Sequence, residues 1–244
     1  MFNTENGTTK IEKIPQYKKG FKFKYGLPNE AYKNNMYLKE DEELLIKRYI
    51  QYRNAELFFS SLFILCEGDS EKVFLERIFP YHISKTPGQL GISIISCEGQ
   101  TYSPFLKVAN KNAFNLKWLI LSDAEKDTKD RLKNIVTNSG YEFTEVDEKI
   151  HYLPDGTDFE KYCIDFYGAE INKVIEHNFK VLYEKFCNQP NNLSHSKEKL
   201  INLFIDTIKV NFSEQLALYV INRELDIPDI IKNLIDKAVK EVGK

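Results

Sequence analysis

Three short apolar runs, each followed by a helix-like pattern, set the strongest limit on how this chain folds. They are residues 61–66 (SLFILC), 91–97 (GISIISC) and 117–122 (KWLILS), and each reads as a buried strand. Residues 70–80 follow the first run as a helix. Asp69 or Ser70 would cap it, and Phe74, Leu75, Ile78 and Phe79 would form its inner face. SPFLKVANKN follows the second run, opened by Ser103 and Pro104. DTKDRLKNIVTNSG follows the third and is stopped by Gly140. Residues 149–153 (KIHYL) add a fourth strand. Strand and helix alternate with short connections, the signature of βαβ units and a mostly parallel sheet. The fold class is therefore α/β. In such sheets ligands gather at the carboxyl ends of the strands.

The rest of the chain frames this core. Residues 1–38 read as a basic tail or linker, with seven lysines against three glutamates in the first 35 positions. Such an arm either touches nucleic acid or is simply solvated. Residues 39–157 form the α/β core with a leading helix over 39–58, its apolar face carrying Leu44, Leu45, Tyr49, Tyr52 and Leu57. Residues 158–244 read as a helical extension or subdomain, with helices over 158–187, 195–210, 212–224 and 228–242 around the polar loop NQPNNLSHS. A net charge of −2 over 244 residues marks no general polyanion binder. Cys66, Cys97, Cys163 and Cys187 have no C-x-x-C spacing, which argues against a disulfide framework or a zinc site. Cys66 and Cys97 sit in strand-like runs as core residues. No apolar run reaches membrane-spanning length and no signal-peptide core opens the chain, so a cytoplasmic protein without membrane contact is expected. No phosphate-binding G-x-x-x-x-G-K-[ST] loop is present. His82, His151, His177 and His195 are dispersed and read as surface or core residues. Trp118 and the aromatics at 58, 59 and 63 lie in apolar segments and read as core.

Carboxylates collect where the strands end. Glu67 closes the first strand, Gly68 permits a tight exit, and Glu71 in the first helical turn can return over the strand end. Ser122, Asp123, Glu125 and Asp127 follow the third strand, with positions 123 and 125 on one side of an extended segment. Asp158 and Glu160 open a later helix. Unpaired carboxylates at adjacent strand ends repel and raise one another's pKa. A hard divalent cation, Mg²⁺ or Mn²⁺, removes that cost and can promote phosphodiester cleavage. Acidic residues after a strand also cap helices or favour their dipoles. Glu71 and Asp127 are open to either role, Asp158 reads as a cap, and Glu160 by itself as a helix-surface residue. Glu67 with Asp123, on two apolar strands, points to a metal.

E-G-x-x-E after an apolar strand, with S-D-x-[DE] after a later one, resembles a TOPRIM domain, the module shared by topoisomerases, bacterial primases and a group of nucleases. RYIQYRNAELFFSSLFILCEGDSE, ISIISCEGQTYSPFLKVAN, LILSDAE and EQLALYVINRELDIPDIIKNLIDKAV are similar, in order and spacing, to the TOPRIM half of OLD-family (overcoming lysogenization defect) endonucleases. The resemblance covers about residues 40–242. It implies a Rossmann-like TOPRIM sheet with a C-terminal helical extension. It also implies Mg²⁺ or Mn²⁺ held by Glu67, Glu71, Asp123, Glu125 and Glu160, with Glu67 also a general acid or base, and Gly68, Gly99 and Ser122 in support. The family's second S-D-x-D aspartate is Glu125 here. The lysine of its closing segment aligns with Ser213, and Lys209, one turn earlier, would substitute as the transition-state cation.

The expected function is a metal-dependent DNA endonuclease or nickase. Lys126, Lys129 and Arg131 would meet the nucleic acid. The alternative is a catalytically weak TOPRIM module that binds nucleic acid and works with a separate ATPase subunit, since the family's ATPase half has no counterpart in these residues. A third class, nucleotidyl transfer, lacks a primase zinc motif. Self-association is compatible with the pattern, and phage defence follows only by analogy with the family.

Overall fold

The computed structural model describes residues 2–5, 8–11, 42, 44, 46, 47, 60–111, 113–124 and 127–243. Within the stretch read as a tail, β1 (Phe2–Glu5) and β2 (Thr8–Ile11) pair antiparallel. Of the leading helix, Glu42, Leu44, Ile46 and Lys47 are helical, and the remainder lies outside the described residues. Its phase differs from the reading above: Ile46 is buried and Leu44 is exposed. The reason is a buried anchor. Glu42 accepts hydrogen bonds from Lys107 Nζ at 2.8 Å and from Ser103 Oγ at 2.9 Å, which turns Ile46 into the core.

The central sheet contains β3 (Leu62–Cys66), β4 (Ile92–Ser96), β5 (Lys117–Ser122) and β6 (Ile150–Tyr152). Their spatial order is β4-β3-β5-β6 and every pairing is parallel. The expected strands are thus present, each within a residue or two of its predicted bounds. The connecting helices are α1 (Asp69–Ile83), α2 (Ser103–Ala109), α3 (Thr128–Asn138) and the short α4 (Phe143–Val146). The helix predicted to end at residue 80 runs through Pro80 to a left-handed Ser84. Being in the last turn, Pro80 removes one amide bond without breaking the helix.

Side-chain alternation along the strands builds two cores. Leu62, Ile64 and Cys66 of β3 face one side with Phe74, Leu75, Ile78 and Phe79 of α1. Phe63 and Leu65 face the other with Phe105 and Leu106 of α2, Leu132 and Val136 of α3, and Trp118. Winding reverses between β3 and β5: α1 crosses on one face, α2 and α3 on the other. Phe63 and Trp118 are core, as expected; positions 58 and 59 lie outside the described residues.

The C-terminal part is helical but divided differently from expectation. The segment 158–187 is three helices, α5 (Phe159–Tyr167), α6 (Ala169–Asn178) and α7 (Lys180–Cys187). Gly168 at φ +51 separates the first two. The helices expected over 195–210 and 212–224 are one, α8 (Lys197–Asn222), with non-helical angles at Ile208 alone. Nothing between 210 and 212 carries a breaker, so the backbone continues. The last helix is α9 (Asp229–Val242). Leu216 and Val220 of α8 and Leu234 and Ile235 of α9 join the same core as α1. Among the described residues no helix is long and apolar enough to cross a membrane. All four cysteines are free thiols, with Cys66 and Cys97 buried as expected.

Candidate metal centre

β3 is buried along its whole length, and Glu67 is the first residue beyond it. The register that pairs Leu65 with Ile120, continued by two residues, sets Glu67 level with Ser122, next to Asp123. These two strand ends flank the switch point, where open α/β sheets leave a crevice.

Glu71 returns to the strand end as expected. Gly68 N–H donates to its Oε2 at 3.2 Å, so the carboxylate also caps its own helix. Gly68 is not needed for its backbone: φ −135 and ψ −179 are extended angles open to any residue. The tight-exit reading is corrected to one of space, because a Cβ there would lie 3.2 Å from Glu71 Oε2. Gly99 is the reverse case: its φ is +89, and a Cβ there would meet nothing within 4 Å. With Glu98 at φ +51 it turns the chain after β4, so that Gly99 N–H donates to the Glu67 carbonyl at 2.8 Å.

A third element arrives through backbone bonds. Leu153 N–H donates to Ser122 O at 3.0 Å, Gly156 N–H to Ala124 O at 2.8 Å, and Ala124 N–H to Thr157 O at 3.4 Å. They tie the loop after β6 to the segment after β5, and α5 therefore starts beside Asp123. Asp158 caps α5, accepting from Lys161 N–H at 2.7 Å, as expected. Glu160 is not the surface residue that its position in a helix suggests; it is 6 % exposed. From α8, Lys209 Nζ lies 3.4 Å from its Oε2.

The carboxylates feel one another. Burial, then the charges of Glu160 and Glu67, push Glu71 up to about 7, against the opposing pull of backbone amides. Burial, then Glu71, Glu67, Asp158 and Glu160, push Asp123 up to about 8. Asp123 Oδ1 is buried with no hydrogen-bond partner among the described residues. A buried acceptor left so costs roughly 1–3 kcal/mol unless something occupies it. Among the described residues no group of three or more His, Cys, Asp or Glu side chains is placed to hold a metal ion. The donors present are all carboxylate oxygens, which suit a hard cation, and an incoming ion would relieve both the repulsion and the stranded oxygen. In donor chemistry the residues suit such an ion.

The charges of Glu67, Glu71 and Glu160 thus act on Asp123, and Lys209 is joined through Glu160. Ser122 Oγ donates to the Asp123 carbonyl at 3.1 Å, so it supports the turn. Glu125 and Lys126 lie outside the described residues. Lys129 pairs with Asp155 at 3.0 Å and stands 5.5 Å over the Tyr152 ring, while Arg131 donates to Thr128 Oγ1 at 3.4 Å. Ser213, the position aligned with the family lysine, is buried at 1 % exposure. Sequence reasoning missed Asp206, which lies 3.6 Å from Lys209 Nζ. Its i−3 spacing to Lys209 was the available signal.

Residues 58–124 match the family model of the overcoming lysogenization defect protein-like TOPRIM domain. The wider fold is similar to the C-terminal region of the Xanthomonas campestris pv. campestris OLD protein, at TM-score 0.55 and 19% identity, over 78% of this chain and 97% of that one. It is also similar to the C-terminal region of the Burkholderia pseudomallei OLD protein, at TM-score 0.54 and 21% identity, over 76% of this chain and 100% of that one. No curated protein sequence matches the chain. The matched segment contains Glu67, Glu71, Gly99 and Asp123. Glu160 and Lys209 come from beyond it.

Proposed function

We propose that the protein is a divalent-metal-dependent nuclease that cleaves DNA phosphodiester bonds at the TOPRIM strand ends. The observation that carries this reading is the set of carboxylates just beyond β3 and β5 and in the first turns of α1 and α5. Burial and the neighbouring charges raise the proton affinity of Glu71 and Asp123, and one buried Asp123 oxygen has no partner among the described residues. Glu67, Glu71, Asp123 and Glu160, with Glu125 from the adjoining segment, would hold Mg²⁺ or Mn²⁺. Such an ion, when bound, supplies Lewis-acid polarisation and neutralises charge on the phosphodiester. Glu67 follows the strand directly and serves as proton acceptor. Gly68 keeps space beside the Glu71 carboxylate, and Gly99 fastens the Glu67 backbone. Lys209 faces the same group from α8 as a cation for the phosphate. Lys126, Lys129 and Arg131 meet the DNA backbone next to Asp123.

The test is cleavage of supercoiled plasmid by purified protein with Mg²⁺, Mn²⁺, Ca²⁺ or EDTA, beside Glu67→Ala. The expected result is nicking or linearisation that needs Mg²⁺ or Mn²⁺ and disappears in the variant. A second reading, a TOPRIM module that works only with a separate ATPase, is favoured by Ser213, which puts a buried hydroxyl where the aligned lysine would stand. Wild type no more active than Glu67→Ala with every metal would select it.

A further inference from the structure

Lys209 follows Ile208, whose backbone angles (φ −127, ψ 19) interrupt α8. Its ammonium lies between two carboxylates, 3.4 Å from Glu160 Oε2 and 3.6 Å from Asp206 Oδ1. The two partners differ. The Glu160 side chain is 7 % exposed and the Asp206 side chain 54 %. Lys209 is 45 % exposed, so it reaches from solvent into the centre. A buried carboxylate without compensation is strongly disfavoured, and an ammonium at this distance supplies it.

Building on the nuclease reading, we infer that Lys209 is the resident counter-ion of the metal-free centre and competes with the divalent cation for Glu160. Lys209 satisfies one carboxylate at the edge of the cluster. A divalent ion, drawing on several carboxylates at once, displaces it from that edge. Displacement demands little rearrangement, because the side chain is already half in solvent and Asp206 stays beside it one turn back. The released ammonium then faces the route by which a phosphodiester approaches. Metal loading and DNA binding thereby strengthen each other, and by linkage the effect is mutual.

The experiment is calorimetric titration of the whole chain with Mn²⁺, without DNA, for wild type, Lys209→Met and Lys209→Gln. Each is repeated in a Glu160→Gln background, with thermal melts to verify folding. Removing the competing charge is expected to tighten Mn²⁺ binding roughly three- to tenfold, and to change nothing once Glu160 is neutral. In a second readout, Ca²⁺ strengthens binding of a labelled DNA duplex in wild type and does so much less in Lys209→Met. Equal or weaker Mn²⁺ binding by the folded lysine variants overturns the inference and leaves the nuclease reading standing. Tighter binding in the variants with no plasmid cleavage by wild type supports the counter-ion role and removes the nuclease reading. No Mn²⁺ binding by any form removes both.

Discussion

Gly68 and Gly99 both touch the Glu67 corner but serve different ends. Gly68 has ordinary extended angles, and its Cβ would crowd Glu71 Oε2 at 3.2 Å. Gly99 sits at φ +89 with open space around it. Gly68→Ala should leave stability within about 1 kcal/mol, since the loss of unfolded-chain entropy offsets the crowding, while weakening Mn²⁺ binding. Gly99→Ala should cost about 1–2 kcal/mol in urea denaturation through its left-handed backbone. The opposite pattern would refute both assignments. The acids give a pH signature. Glu71 and Asp123 hold protons more tightly folded than unfolded, so their contribution to the metal-free fold is full below their unfolded pKa values. It is lost as pH rises through about 7 for Glu71 and about 8 for Asp123. With EDTA, Tm should fall between about pH 5 and about pH 8. Glu71→Gln should flatten that slope, and Mn²⁺ should restore Tm at the alkaline end. A flat profile in EDTA would contradict the charge crowding.

At the scale of elements, α8 binds the molecule together. Its Phe204 receives Tyr183, Phe186 and Phe179, with ring centroids at 5.1, 5.5 and 6.2 Å. α7 buries no residue fully and docks through Tyr183 and Phe186. Phe204→Ala should therefore cost about 3–5 kcal/mol and loosen α7 first, visible as faster amide exchange over 180–187 than over β3. The break at Ile208 has a local cause. Thr207 Oγ1 donates to the Phe204 carbonyl at 2.7 Å, a side-chain bond that competes with the helix ladder. That break directly precedes the lysine facing Glu160.

At the scale of the whole molecule, the sheet is a middle layer between unequal covers. α2 and α3 cover one face, and α1 shares the other with α5, α6, α8 and α9. Phe74, Leu75, Ile78 and Phe79 are buried partly against residues more than eighty positions later. A chain cut after residue 157 should consequently lose cooperative thermal unfolding and bind the dye ANS through its uncovered α1 face. A sharp two-state melt of that piece would show that the sheet needs only one cover.

The sequence by itself determined the alternation of β3 to β6 with their helices, because buried strands and capped helices leave local, periodic marks. E-G-x-x-E and S-D-A-E likewise placed Glu67, Glu71 and Asp123 at strand ends before any contact was known. What depended on long-range packing was not legible there. Glu160 looks like a surface residue until α5 packs in the fold and Lys209 of α8 meets it. Ile46 displaces Leu44 from the core only because Glu42 meets Lys107. Gly68 looks like a backbone requirement and is instead a matter of space for one carboxylate. Strand order, and with it the meeting of β3 and β5 at one crevice, followed from which face each connecting helix had to cover. Only the tertiary structure decides that, because burial is settled between elements and not within them.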